Sequence, residues 1–406
     1  MRRILLVIFV VLLSLTNLAC AGSKKPEKKE VVLGIERVQD YKELFVGKRL
    51  GLITNATGID RNFKSNVSIL KEQFNLVAIF TPEHGFLGQI AADESTANGY
   101  SQEFNLPIYS LYGSTRKPTK EMLSNIDVLV FDIQDVGIRH YTYVSTMALA
   151  MEAAKENNKT FVVLDRPNPI GGAVQGPTLK TGNESFVGLY PIPLRHGMTV
   201  AELAKFFNKE YGIGADLKIV PMLGWSRDMY MQDTGVPWVQ TSPNIPTAMT
   251  ALVYAAAGMS GSTAASDGVG TTQPFEFVGM PNINAYEFAR VMNAYQLNGV
   301  HFRPISFIPR FGKLANQECQ GVQIHVTDKN SFDVAKTGAV LVKELEKRYK
   351  GTEFWTSWGG SVKSIDAHLG EDSLRTNQES LESIFARWQK ESDEFRKLSA
   401  KYYLYK

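Results

Sequence analysis

A chain of 406 residues exceeds the length at which single hydrophobic cores usually stop growing, so two domains are expected. It is 44% hydrophobic and 21% charged, the composition of a globular protein. Its net charge of +3, with no basic stripe interleaved with aromatics, excludes a nucleic-acid-binding protein.

The chain opens on Arg2-Arg3, the apolar run Ile4–Leu13 and then Ala19-Cys20, which read as an export signal too short to span a membrane. Cys20 stands where bacterial lipoproteins carry their lipid, although Asn17 occupies a place where such signals usually have Leu. The expectation is an exported, cell-envelope or periplasmic protein whose only membrane contact is a lipid anchor at Cys20. Residues 21–30, rich in Lys, Glu, Ser and Gly, then form a solvated tether. A catalytic domain is expected over 31–242 and an auxiliary domain over 243–406.

Five apolar runs of strand length follow, each ending in a polar or Gly/Pro-punctuated loop. Arg49–Ile53 leads into Thr54-Asn55, Asn75–Phe80 into Thr81-Pro-Glu-His-Gly85, and Pro107–Ser110 into Leu111-Tyr-Gly113. Val128–Phe131 leads into Asp132–Gly137, and Phe161–Leu164 into Asp165–Pro169. Helices are predicted over Phe63–Gln73 and Tyr143–Glu156. Thr199-Val-Ala-Glu202 is a capping box opening a helix that Gly212 closes, and Asp216–Met222 reads as a further strand. This alternation predicts a mainly parallel, Rossmann-like α/β sheet with right-handed crossovers. Ligands bind at the carboxyl edge of such sheets, where the five loops would gather.

Trp225–Asn244 reads as a long loop and a domain seam. Beyond it, Ile245–Gly258 and Ala285–Leu297 look helical, and His301–Pro309 and Gly321–Thr327 look like strands of a smaller α/β (α+β) unit. Val334–Arg348 and Glu379–Leu398 read as amphipathic helices on its outside.

Several chemistries are absent. No strand runs into Gly-x-Gly-x-x-Gly, and there is no P-loop, no His-Glu-x-x-His and no Gly-x-Ser-x-Gly. The six His have no ligand spacing, so neither a metal nor a cofactor is expected. Cys319, alone in the mature body, reads as a buried structural thiol.

Carboxylates, His and Arg on the loops remain. Glu83, between Pro82 and His84-Gly85, is the candidate proton donor, because a carboxylic acid partly withdrawn from water can protonate a leaving group near neutrality. Its bland alternative is a loop acid capping the next helix. His84 either orients Glu83, bonds substrate or simply packs. Asn55, Asp132 and Asp135 end neighbouring strands, and the two acids either cap loop amides or act on substrate. In Gly137-Ile-Arg-His-Tyr-Thr-Tyr143, aromatics such as Tyr143 suit stacking on a sugar, and Arg139 suits a bidentate grip on a carboxylate. Arg166 and Asn168 offer similar chemistry. Arg195 and His196 precede a helix N-terminus, a place that favours anions. Asn244, Asp267 and Glu276 lie on polar loops of the second unit, Glu276 being either a second cleft carboxylate or a loop-stabilising acid.

Seven segments together resemble the bacterial exo-β-N-acetylmuramidase family. They are Gly51–Gly58, Thr81–Phe86, Val130–Gly137, Asp165–Gly172, Arg195–Thr199, Ser242–Pro246 and Gly270–Glu276, collinear over nearly all of the mature chain. The resemblance implies a Rossmann-like domain, a smaller C-terminal α/β domain and an active-site cleft between them. It also implies release of N-acetylmuramic acid from the non-reducing end of peptidoglycan fragments, with Glu83 as the catalytic glutamate. Asp267, Val269 and Gln273 depart from the family pattern, which has Glu, Arg and often Arg there. The muramyl lactyl carboxylate calls for a grip by at least one of Arg139, Arg166 and Arg195, while the acetamido group can serve as an internal nucleophile. Two other readings stand beside this one: an esterase or amidase using Ser145, Ser242 or Ser260, and a non-catalytic sugar-binding lipoprotein.

Overall fold

Each central strand of the main sheet is apolar on both faces, which is the pattern of a strand covered from both sides. The computed structural model describes residues 30–92, 94, 97–357 and 363–406. The predicted export signal, Cys20 and the tether up to residue 29 lie outside the described residues. Strands β1 (Arg49–Ile53), β2 (Asn75–Thr81), β4 (Leu106–Ser110), β5 (Val128–Phe131), β6 (Thr160–Leu164) and β9 (Asp216–Val220) are all parallel, and β3 (Gly99–Ser101) pairs antiparallel with β4 at the edge. The sheet order is β3-β4-β2-β1-β5-β6-β9. Without the edge strand this is the doubly wound Rossmann order, which reverses between β1 and β5.

Alternation along the strands builds two cores. Phe80, Leu129, Phe131, Phe161 and Val163 point to one face, against Met147 and Met151 of the helix Tyr143–Glu156. Ile79, Val128, Val130, Val162 and Leu164 point to the other, with Val67 and Leu70 of the helix Asn66–Gln73. The first core continues into the C-terminal half through Val253, Phe288, Val322, Val340 and Trp388, so the parts on either side of residue 242 share it. Val31–Lys406 is accordingly one packed unit.

The C-terminal half carries a three-stranded antiparallel sheet, β10 (Phe277–Met280), β12 (Cys319–Val326) and β11 (Val300–Phe307) in that order. Cys319 starts β12 fully buried, as expected of a structural thiol, and burial pushes it up to about 11. A short antiparallel ribbon, β7 (Gln175–Thr178) with β8 (Pro193–Arg195), is not visible in the sequence, because Gly176 and Pro177 disguise β7 as a turn.

The capping box holds, with Thr199 accepting from the amide of Glu202 and Gly212 at φ 67° just past the helix end. One boundary needs correction. The first helix starts at Asn66, not Phe63, because Asp60 Oδ1 accepts from the amides of Asn62 and Lys64 and holds Phe63 at φ 65°. Ser65 then caps the helix by accepting from the Val67 amide. Among the described residues no helix is long and apolar enough to cross a membrane.

Candidate active site

The chain leaves β2 at Thr81, and two consecutive left-handed residues, His84 at φ 71° and Gly85 at φ 72°, fold the loop back on itself. Only Gly adopts that conformation freely; for His84 it stores strain of order 1–3 kcal/mol, which the surroundings must hold. They hold it through His84 Nδ1, which donates to the Ile90 carbonyl at 2.8 Å, and through the Ile90 amide, which donates to the His84 carbonyl at 3.2 Å. A carbonyl only accepts, so Nδ1 carries the hydrogen. Glu83 is thereby turned inward, 8% exposed, with Oε2 accepting from Thr142 Oγ1 at 2.6 Å. Thr142 stands at the start of the helix Tyr143–Glu156. The acid is thus fixed by a hydroxyl from the far side of the sheet's switch point.

Glu83 and His84 line a cavity of about 530 Å³, which is within the roughly 300–1,000 Å³ typical of small-molecule sites. Its walls come from both halves of the chain. Tyr112 and Phe186 form one aromatic wall, and Tyr254 and Phe275 another, with ring centroids 5.9 and 4.6 Å apart respectively. Asp267, Asn244 and Ser242 complete the polar lining from the C-terminal half. Burial raises the Tyr254 phenol well above its usual value; Tyr141 adds to this, as do Glu83 and Asp267. Tyr254 therefore lies within electrostatic range of both cavity carboxylates.

His140 and His368 also reach this wall, 4.7 Å apart between ring centroids. Burial holds both neutral, with Arg139 adding to the effect. His368 Nδ1 lies 2.6 Å from Ser262 Oγ, but Ser262 is fully buried, so this serine–histidine contact is structural. Among the described residues none of Ser145, Ser242 and Ser260 hydrogen-bonds a histidine, and Ser145 and Ser260 do not line the cavity. Among the described residues, no serine on the cavity lining is activated by a neighbouring histidine.

Of the residues singled out in the sequence, Glu83, His84, Ser242, Asn244, Asp267 and Val269 meet at the cavity. The others do not line it, and most are spent on holding the loops in place. The three arginines expected to grip a carboxylate are the main correction. Arg166 is 2% exposed and binds Asp132 through two contacts of 2.5 and 3.0 Å, and Asn66 Nδ2 donates to the same carboxylate at 2.9 Å. Arg139 donates to the carbonyls of Pro177, Ile192 and His368 at 2.7–2.8 Å. Arg195 donates to Gln175 Oε1 and the Ile170 carbonyl. A buried guanidinium needs partners within the fold, and the terminal nitrogens of Arg139 and Arg195 and the fork of Arg166 find them there, although the Nε of Arg139 and of Arg195 has none among the described residues; none of the three lines the cavity.

Asn55 Nδ2 donates to the Tyr143 hydroxyl at 2.8 Å, and that hydroxyl donates to the Thr241 carbonyl, so Tyr143 offers no stacking face to a sugar. Asn168 donates to the Met198 carbonyl, and His196 Nδ1 accepts from the Met198 amide. Asp135 accepts from the Gly137 amide, which is the loop-capping role. Glu276 is half-buried beside Thr250, away from the cavity; burial raises its carboxyl. Of the three departures from the family pattern, Asp267 and Val269 line the cavity and Gln273 does not.

His196 illustrates the cost of such burial. Its pKa is pushed down to about 3 by burial and by Arg139 and Arg195. A depressed folded-state value means that the unfolded chain binds more protons between pH 6.5 and 3. The stability from the neutral ring is therefore full above pH 6.5 and lost as pH falls. Asp135 and Asp165, pushed up to about 7 by burial, act in the opposite sense, so the contribution is read by comparing variants. His196→Gln is expected to lose less stability than wild type on going from pH 7 to pH 5. The difference approaches roughly 1.4 kcal/mol per pH unit below 6.5. Parallel denaturation midpoints for the two proteins at both pH values would contradict this.

Sequence reading missed Thr142, Arg116, Phe186, Tyr254 and His368. Arg116 follows Leu111-Tyr-Gly113 on one of the predicted edge loops and was within reach of that argument. Tyr254 and His368 sit in helices of the C-terminal half, where nothing local distinguishes them from packing residues.

An acid turned into an aromatic-walled cavity at the carboxyl edge of a Rossmann-like sheet defines an α/β protein equipped to protonate the leaving group of a sugar-sized ligand. Residues 50–249 match the N-terminal model, and residues 252–405 the C-terminal model, of exo-β-N-acetylmuramidase NamZ, and the chain belongs to that family. It is 46% identical over 386 residues to the peptidoglycan β-N-acetylmuramidase NamZ of Bacillus subtilis (strain 168), covering 93% of this chain and 92% of that protein. Two crystal structures of DUF1343 family proteins from Bacteroides fragilis share the fold. One has a TM-score of 0.84 at 39% identity and the other 0.74 at 28%, each covering 93% of this chain and 99% of its own.

Proposed function

We propose that this chain is an exo-acting glycoside hydrolase that releases N-acetylmuramic acid from the non-reducing end of peptidoglycan fragments, with Glu83 protonating the departing glycosidic oxygen. The observation that carries this is Glu83 itself, turned into the cavity by a strained loop and held by the Thr142 hydroxyl. Asp267 is the second carboxylate on the described lining, so the site holds the two acids that glycosidases generally use. Tyr112, Phe186, Tyr254 and Phe275 supply apolar faces for sugar rings. Incubating the protein with fragments that end in N-acetylmuramic acid is expected to yield the free sugar, read by mass spectrometry. Intact fragments bound without turnover would establish a binding protein instead. Export and anchoring through Cys20, read from residues 1–20, belong to the same proposal; recovery of the full chain in the soluble fraction of cells would refute the anchor.

A further inference from the structure

N-acetylmuramic acid differs from N-acetylglucosamine by a lactyl ether on C3, which ends in a carboxylate. A cavity selective for it needs a cation that no protein acid has already claimed. Among the described residues lining the cavity, Arg116 alone carries a guanidinium or ammonium group. Its guanidinium lies over the Phe186 ring at 4.4 Å and the Tyr112 ring at 6.0 Å, and it forms no ion pair with any described carboxylate. The neighbouring Lys117 contrasts with it, being paired to Glu152 at 3.1 Å and Glu156 at 2.7 Å. The two carboxyl groups on the described lining, Glu83 and Asp267, offer a carboxylate arm no cation.

We infer that Arg116 is the residue that reads the lactyl carboxylate and so selects muramyl over glucosaminyl ends; this rests on the muramidase reading above. Stacking occupies the face of a guanidinium and leaves its in-plane N–H edge open, the edge that meets a carboxylate in two parallel hydrogen bonds. The aromatic pair thus holds the fork in place before substrate arrives, which lowers the entropy lost on binding. Arg116 takes over the task that sequence reading assigned to Arg139, Arg166 or Arg195. It is exposed at the cavity wall, so replacing it leaves the core untouched.

The test compares wild type, Arg116→Gln and Arg116→Lys on three glycosides: the muramide, its lactamide analogue (carboxamide in place of carboxylate) and the glucosaminide. Charge-assisted contacts of this kind are lost at a cost of roughly 10- to 150-fold in kcat/KM. Arg116→Gln is expected to lose that factor on the muramide, mainly through KM, because C3 lies away from the bond that breaks. Wild type should lose a similar factor on the lactamide, and Arg116→Gln should show no further loss there. Arg116→Lys should fall between the two. Arg116→Gln that matches wild type on the muramide, or that loses equally on all three substrates, overturns the inference. Wild type inactive on every substrate overturns the muramidase reading instead.

Discussion

Glu83→Gln is expected to lower kcat for release of N-acetylmuramic acid by about 100- to 10,000-fold, the usual worth of a positioned proton donor. The amide keeps the shape of the acid and can still accept from the Thr142 hydroxyl, so the loop and the cavity should survive the change. Substrate affinity should therefore change little, and the loss should sit in kcat. The size of the loss should also depend on the leaving group. A nitrophenolate departs with little help from a proton, whereas a sugar alkoxide needs one, so the variant should lose far more on the natural disaccharide than on a nitrophenyl muramide. Turnover of the disaccharide within a few-fold of wild type would end the proposal for Glu83.

Asp132→Ala is expected to destabilise the fold by about 3–5 kcal/mol, because it strands a buried guanidinium. Asp132 is fully buried, and its carboxylate receives Arg166 through two contacts and Asn66 through a third. Its carbonyl accepts from Thr54 Oγ1, so the ends of β1, β5 and β6 and the helix Asn66–Gln73 all meet at this point. Removing both charges together with Arg166→Met should cost less than the sum of the single changes, since no unpaired ion remains. Denaturant unfolding of the two single variants and the double variant measures this coupling. A residue that merely bound substrate would lose affinity at unchanged stability. That outcome would restore Asp132 and Arg166 to the substrate-binding role that their sequence positions suggested.

The switch point of the sheet explains why the sequence pointed to these residues and misjudged what they do. Loops after β1 and β5 flank the strand-order reversal, where open α/β sheets commonly bind ligands. Here their first polar groups bond within the fold, Asn55 to Tyr143 and Asp132 to Arg166 after β6, and the cavity opens over the loops after β2 and β4 and the His140–Thr142 stretch after β5. An arginine that grips a ligand and one that knits loops together have the same local signature in sequence. What separates them is burial and the partners that long-range packing brings.

The sequence by itself determined the parallel sheet, the edge at which its loops collect, the capping of the helix after Thr199, and the acid in the Pro82–Gly85 turn. Each of these follows from continuous apolar runs of strand length, backbone preferences or side-chain-to-backbone bonds within a few residues. Tertiary structure alone decided which cation faces the cavity, which hydroxyl holds Glu83, and which rings from the C-terminal half form the far wall. Those choices depend on contacts between Glu83, Arg116, Thr142, Phe186 and Tyr254, residues tens to more than a hundred positions apart. The closing of such distances is driven by burial of one shared core, which leaves no short-range pattern in the chain.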